Sequence, residues 1–417
     1  MNYHIIAILG KAGGKDKFAS YSKDSALTID KLKNGEFINS THCLMESFGE
    51  SATYTFLGTS ESIKHHKDIF ANLSQCKAIF EKYSPVESSD IEDIFHQILE
   101  SIKSAKENNI ILDITHGFRH QPIIASFAST LGQINTKKSI TLLFAKEIEQ
   151  GKKYQYISLE KYSQISLIAL SLQTFVQTLS VPNMGLKEPF IIALSEFSKS
   201  LHANAFNEIF ANLDKAKSAL QNAKNSDSFK GLDNILSKAE EILRIFEHIK
   251  NTKENYEKYY KFAELMHTKR YYLISATYIS EAILLYALER FRHKGFKYKP
   301  NFNMYHQTNA IKLFIHLCAT PQQNQNYTKV KDIAYQKCKK VFSEDEFDTL
   351  ESDIRNNRLN DIIYLQQFIT QITNIRNDLV HINANKDNNI SAIPIQVQIL
   401  LKDFKEKCLD KDFLKNL

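Results

Sequence analysis

The chain lacks the features that would put it in a membrane, in an oxidising compartment or among the common nucleotide enzymes. Near its start the only apolar run is Ile5 to Leu9, within MNYHIIAILG. That run is far short of the roughly 20 residues that cross a bilayer, and it carries no signal-peptide cleavage pattern. A soluble, cytoplasmic protein with no membrane partner is therefore expected. The five cysteines, Cys43, Cys76, Cys318, Cys338 and Cys408, include no CxxC pair. Neither a disulfide framework nor a cysteine zinc site is indicated, and reduced thiols fit the same compartment. A formal net charge of +6 over 417 residues is mild; it permits an anionic partner without demanding one. The loop GKAGGK, from Gly10 to Lys15, matches neither a Walker A sequence nor GxGxxG, so an ATPase or a dinucleotide enzyme is not supported.

Glycine is scarce where the rest of the chain lies. Nine of the twelve glycines fall at or before Gly151, so the sharp strand-to-helix turns belong to the first third. There, β-rich runs (YHIIAILG, ATYTFLGT, NIILDIT, ITLLFAK, YQYISLE) alternate with amphipathic ones (IKHHKDIFANL, IEDIFHQILESI, IIASFASTLGQI). Strands that are apolar nearly throughout, separated by helices, imply a parallel-type sheet covered on both faces. The expected class is α/β plus all-α, with a Rossmann-like domain over 1–160. Beyond about residue 160 the apolar period becomes 3.6, as in RYYLISATYISEAILLYALERF, and the remainder reads as helical. SVPNMGLKEP, residues 180–189, is the best boundary candidate. This gives a helical connector and linker over 161–190 and an all-helical domain over 191–417.

With 43% of its residues hydrophobic the chain can fill such cores, and the chemistry falls to the polar groups at strand ends. In ILDITHGFRHQP, residues 111–122, an apolar strand ends in Thr115, His116, Gly117, Arg119 and His120. Ligands of open parallel sheets sit at the carboxyl ends of the strands. Gly117 lets the backbone approach a ligand, Thr115 and His116 offer hydrogen bonds, and the following helix turns its positive end to the loop. Gly10 and Lys11 after the first strand, and Gly58, Thr59 and Ser60 after a later one, have matching chemistry. All three loops can line one crevice suited to a phosphate or nucleotide. Taken singly, the Thr115 and His116 pair is equally well explained as a helix cap.

LDITHGFR followed by Pro122 resembles the signature of CARF domains in CRISPR-associated proteins of type III systems, and FLGTSES resembles the polar loop after an earlier strand of those domains. The resemblance implies a dimeric sensor of cyclic oligoadenylate with no membrane partner. Its activator would be cyclic tetra-adenylate, with cyclic hexa-adenylate as the alternative. It also implies ligand-binding roles for Gly10, Lys11, Thr59, Ser60, Thr115, His116, Gly117 and Arg119.

CARF domains of this family are often joined to a C-terminal helical HEPN ribonuclease domain, which requires an Arg, four to six residues and a His. RNDLVH, from Arg376 to His381, meets that pattern near the end of IIYLQQFITQITNIRNDLVHI. Eight arginines and fourteen histidines would give roughly one such match by chance, so its placement in the helical half decides. RIFEH, Arg244 to His248, has only three intervening residues. RNA carries its own nucleophile, the 2′-hydroxyl, so no cofactor or metal is needed for cleavage. Histidine suits the proton transfer and arginine the charge of the pentacoordinate phosphate. The resemblance thus assigns His381, Arg376 and the neighbouring Asn377 to catalysis on single-stranded RNA. Five residues at 100° set Arg376 and His381 about 140° apart on one helix, an awkward pairing that the composite cleft of a homodimer, which the resemblance implies, would resolve. Without the resemblance, an arginine buried against an acidic neighbour and an exposed histidine would be the simpler reading.

Two other functions stay open: a ring nuclease or sensor that degrades cyclic oligoadenylate beside a structural HEPN domain, and a non-enzymatic nucleotide-responsive regulator. His65 and His66, adjacent in sequence, are expected on a solvated helix face rather than at a metal. Tyr271, Tyr272 and Tyr278 are expected to pack rather than to stack on bases.

Overall fold

The computed structural model describes residues 2–14, 17–88, 90–118, 120–292, 304–340, 342–380 and 392–415. Among them are eight strands: β1 (Tyr3–Ile8), β2 (Ala19–Lys23), β3 (Gly35–Phe37), β4 (Ala52–Gly58), β5 (Val86–Glu87), β6 (Asn109–Asp113), β7 (Ser139–Glu149) and β8 (Lys153–Ser158). Helices α1 (Ser40–Phe48), α2 (Ser60–Phe70), α3 (Ser74–Lys82), α4 (Ile91–Ser104) and α5 (Gln121–Thr136) connect them. The strands form one sheet in the order β3-β2-β8-β7-β6-β1-β4-β5.

The centre of the sheet is parallel, as the apolar strands require: β1 pairs with β4 and β6, β4 with β5, and β6 with β7. The sheet is of the expected parallel type and carries antiparallel pairs toward one edge. Gly151, at φ +65°, turns the chain between β7 and β8, which pair antiparallel. β2 then adds in parallel to β8, and β3 in antiparallel to β2.

Alternation along β1 supplies two cores. Ile5 and Ala7 pack with Cys43, Leu44, Met45, Phe70 and Phe80 of α1 to α3. Ile6 and Ile8 face the other way, toward Ile94, Ile98 and Ile102 of α4 and Ala125 and Ala128 of α5. Each such buried Ile or Leu contributes about 1.5–3 kcal/mol relative to exposure. A one-residue slip of β1 would exchange the two faces, so its register is firmly fixed. Asp90 caps α4, accepting from Glu92 N at 2.9 Å and Asp93 N at 3.2 Å. The Lys138 ammonium closes the other end of α4 on the carbonyls of Ile102 and Ala105.

The helical remainder comprises α6 (Glu160–Thr178), α7 (Pro189–His202), α8 (Phe206–Lys224), α9 (Asp233–Lys250), α10 (Asn255–Thr268), α11 (Tyr272–Arg292), α12 (Met304–Ala319), α13 (Tyr327–Cys338), α14 (Glu344–Val380) and α15 (Ile393–Phe404). By compactness the chain divides into a first unit of residues 1–175, 180–195 and 221–236, and a second of 176–179, 196–220 and 237–417. The irregular segment 180–188 groups with the first unit. In the second unit α10 and α11 pack through Phe262 and Tyr278, whose rings lie 4.4 Å apart. The apolar stripe of α14, Leu365, Phe368, Ile369 and Ile372, is buried. α14 is two helical segments joined at Arg358, whose φ of −140° breaks the helix.

Candidate functional site

The order of strands puts β1 between β4 and β6, so the chain leaves β1 toward one side of the sheet and returns on the other. Such a switch point opens a crevice at the carboxyl ends of the strands, where helices diverge. β4 ends in Gly58, and the ends of β1 and β6 are followed by Gly10 and Gly117. A cavity of about 340 Å³ lies there, lined by Gly10, Lys11, Ala12, Thr59, Glu61, Ser62, Thr115, His116, Gly117 and Phe118. Gly10 and Gly117 meet nearly backbone to backbone: a Cβ on Gly10 would lie 2.5 Å from Gly117 N. Gly117 itself has φ +109°, and a Cβ on it would lie 2.1 Å from Gln121 Oε1. That oxygen accepts from Phe118 N at 2.8 Å, so the turn into α5 is built around the missing side chain.

Beneath the cavity lies a polar floor. Asp113, fully buried at the end of β6, accepts from Ser40 Oγ at 2.7 Å and from Thr115 N at 3.0 Å and Thr115 Oγ1 at 2.5 Å. Burial pushes its pKa up, and these hydrogen bonds from Thr115 and Ser40 oppose the rise. Thr115 Oγ1 also accepts from Ala145 N at 2.9 Å. Its proton and one lone pair are thus committed to joining β6 and β7, leaving one lone pair for a ligand. His116 Nε2 accepts from Ser40 N at 3.3 Å, and burial lowers the pKa of the ring to about 4. His116 is therefore neutral near pH 7 and serves as a dipole, not as a cation.

The other two loops are held with similar care. Thr59 caps α2, accepting from Ser62 N at 3.3 Å, and the exposed Lys11 forms an ion pair with Glu61. That pair holds the Glu61 carboxyl below its usual pKa. Ser60 is exposed at the first position of α2 and is outside the cavity lining. Arg119 lies outside the described residues. The expectation of a solvated His65 and His66 fails for His66, which is fully buried. His66 Nδ1 donates to Ser62 O at 2.9 Å, and its Nε2 lies 3.3 Å from Asn39 Nδ2. Asn39 caps α1 and also donates to Ala12 O at 3.2 Å. Asn39, itself held by His66, therefore anchors the Gly10 to Ala12 loop, and Ser40 anchors the Asp113 to His116 turn. Sequence reasoning missed all three, because the contacts that bind them into the site span 27 or more residues.

Beside the cavity the surface is apolar. Phe118 is 58% exposed, and Ile123 and Phe127 of α5, one turn apart, are 59% and 65% exposed, with Leu131 continuing the row. A helix normally turns such a stripe to another surface.

In the second unit Arg376 lies half-buried on α14, beside the buried Ile372 and Ile375, whereas Asn377 is exposed. His381 falls outside the described residues. Two charged groups on neighbouring helices sense Arg376: Glu281 of α11 and Lys312 of α12. Arg244 of the weaker RIFEH match is an exposed residue bound to Glu240 at 2.7 Å. Tyr278 is buried in an aromatic cluster, in keeping with a packing role.

One cluster has metal-ligand composition: His42, Glu46 and Cys76, with ligand atoms within 4.8 Å of one another. Its chemistry opposes a metal. His42 Nδ1 accepts from Ile38 N at 3.0 Å, so a neutral ring carries its proton on Nε2, the atom that would have to bind. Burial also pushes the Cys76 thiol up to about 12.

The family model described as "CRISPR system endoribonuclease Csx1, CARF domain" matches residues 5–157. No curated protein matches the chain.

Proposed function

Residues 5–157 are a CARF domain of the kind carried by type III CRISPR-associated proteins, and from that premise we propose that the chain is a cyclic oligoadenylate-activated ribonuclease. The domain senses the ring and the helical region cleaves single-stranded RNA. The observation that carries the sensing half is the meeting of Gly10 and Gly117 at the floor of the cavity. Two adjacent glycine turns expose backbone amides, which suit the closely spaced phosphates of a small ring. Lys11 supplies the positive charge, and the neutral His116 and the free lone pair of Thr115 supply neutral contacts for ribose or base. Cyclic tetra-adenylate is the preferred ring and cyclic hexa-adenylate the alternative.

The exposed row of Phe118, Ile123 and Phe127 supports a homodimer. Phe118 belongs both to this row and to the cavity lining, so a second copy seated on the row would bring two cavities together. A ring with rotational symmetry then matches the twofold axis of its receptor. Activation follows if the ring binds one arrangement of the dimer better than another.

For cleavage, His381 takes the proton from the 2′-hydroxyl, the freed oxygen attacks the adjacent phosphorus, and the P–O bond to the 5′-oxygen breaks as the protonated His381 returns that proton to it. The products are a cyclic phosphate and a 5′-hydroxyl. Arg376, half-buried where water screens it less, stabilises the charge of the pentacoordinate phosphorane. Cleavage of labelled RNA by wild type, Arg376→Ala and His381→Ala in the presence of each ring tests this. Ring-dependent cleavage lost in both variants supports the reading, and equal cleavage by all three refutes it.

The second reading, a ring nuclease or sensor, draws on Lys11, Thr115 and His116 lining the same cavity. It predicts slow linearisation of the ring by the protein, undiminished by Arg376→Ala.

A further inference from the structure

The first unit holds a second cavity, of about 350 Å³, at the other end of its sheet. β7 starts at Ser139 beside Asn109, the first residue of β6, so Lys137, Lys138 and Ser139 line this cavity at the amino ends of the parallel strands. β8 runs antiparallel to β7 and delivers α6 to the same end, where Glu160, Gln164 and Leu167 form a second wall. The third wall is the irregular segment 184–188, turned by Gly185 at φ +72°. Ser171 of α6 holds one side of the segment, donating to Met184 Sδ at 3.5 Å. α7 holds the other, where Ile192 N donates to Glu188 O at 3.1 Å. All these residues belong to the first unit, and none lines the cavity at the carboxyl ends of the strands.

The charges of this cavity are unevenly satisfied. Glu188 Oε2 is buried and has no hydrogen-bond partner, which is costly for a carboxylate unless a donor or cation reaches it. Glu160, half-buried, accepts from Gln164 Nε2 at 2.8 Å. Burial raises its pKa against the hydrogen bonds of Thr141 and Gln164 and the charge of Lys187. Lys138 is committed elsewhere, its ammonium donating to Ile102 O at 2.7 Å, whereas Lys137 and Lys187 are exposed.

We propose that this cavity binds a small zwitterion of the ω-amino acid class, with an ammonium at one end and a carboxylate at the other. The ammonium gives Glu188 Oε2 the donor it lacks and is shared with Glu160. The methylene stem lies along Leu167, Met184 and Leu186, and the carboxylate meets the exposed Lys137 and Lys187. A diamine of the same length would set its second ammonium against those lysines, and a fatty acid would bring Glu188 no donor. The volume is at the small end of the range for small-molecule sites, about 300–1,000 Å³. Because the segment 184–188 is one wall, an occupant also holds that segment in place. The inference is independent of ring sensing and of RNA cleavage.

The test is calorimetric titration of the full chain with 6-aminohexanoate, cadaverine and hexanoate. A ligand as small as 6-aminohexanoate is expected to bind with a Kd on the order of a millimolar or tighter, and the other two at least about tenfold more weakly. Glu188→Gln keeps the shape and removes the charge, so it should weaken 6-aminohexanoate at least about tenfold, the scale of a charge-assisted hydrogen bond. Glu160→Gln is the second variant and should act in the same direction. Replacing Lys137 and Lys187 together with alanine should weaken 6-aminohexanoate without weakening cadaverine. Circular dichroism and Tm report that each variant is folded. Amide hydrogen exchange over 184–188 should slow with 6-aminohexanoate in wild type and not in Glu188→Gln. The absence of binding at about 10 mM 6-aminohexanoate would mean that the cavity takes water alone and would overturn the inference. Binding that survives both glutamine substitutions, or cadaverine bound as tightly as 6-aminohexanoate, would overturn it as well.

Discussion

Replacing Gly117 with alanine gives the sharpest perturbation of the sensing cavity. At φ +109° an L-residue is strained, at about 1–3 kcal/mol. The added Cβ would also lie 2.1 Å from Gln121 Oε1 and 2.9 Å from Ile8 Cγ2. Gln121 is the acceptor for Phe118 N, and displacing it forfeits about 1 kcal/mol more. The sum is roughly 2–4 kcal/mol, which the loop avoids by moving away from Gly10. A ring that needs the original loop must restore it, so its affinity should fall about 30-fold to nearly a thousandfold. Isothermal titration with cyclic tetra-adenylate and cyclic hexa-adenylate measures this directly. Gly151→Ala is the control, since Gly151 also has positive φ but a Cβ there meets nothing within 4 Å. It should cost about 1–2 kcal/mol of stability and leave ring binding unchanged. A Gly117→Ala protein that binds the ring as wild type does would refute the placement of the ligand.

The remaining expectations concern charge, acidity and assembly. Glu61→Gln frees Lys11 from its ion pair, so ring binding should tighten a few-fold and grow more salt-dependent; weaker binding would show that Glu61 itself contacts the ring. Burial lowers the pKa of His66 to about 3 and that of His116 to about 4. Both rings are kept neutral by the fold, so their contribution is fully present above the unfolded value near 6.5 and is lost as pH falls through the window down to about 3–4. At pH 5, His66 alone removes about 2 kcal/mol. Denaturant midpoints between pH 7 and 4 should therefore decline, and His66→Gln, which cannot titrate, should flatten the decline; an unchanged slope would exclude His66 as its source. Phe127→Asp, on the exposed row of α5, should convert a dimer to monomers in sedimentation velocity and weaken ring binding, whereas a variant that still sediments as a dimer would exclude that face.

Much of the first unit was legible because its chemistry is local. Apolar runs such as Ile110 to Leu112 announce central strands, and Gly10, Gly58 and Gly117 mark where three of them end. The convergence of Gly10, Lys11, Thr59, Thr115, His116 and Gly117 on one cavity follows from the parallel topology. The polar lattice beneath was not legible. Ser40 reaches Asp113 across 73 positions and His116 across 76, and nothing local distinguishes Ser40 from an ordinary helix-start serine. His66 misled for the opposite reason: beside His65 it reads as polar surface, but α2 turns it inward, where Ser62 O and Asn39 satisfy both ring nitrogens. In the second unit the periodicity of α14 is plain in the sequence.

The central claim is that ring binding in the first unit switches on cleavage of RNA through Arg376 and His381. It is tested most directly by incubating a fluorescent single-stranded RNA in EDTA with wild type or His381→Ala, alone and with cyclic tetra-adenylate or cyclic hexa-adenylate. The account predicts that wild type cleaves only when a ring is present, leaving cyclic phosphate and 5′-hydroxyl ends, and that His381→Ala does not cleave. Cleavage independent of the ring, cleavage retained in His381→Ala, or an intact RNA under every condition would contradict it.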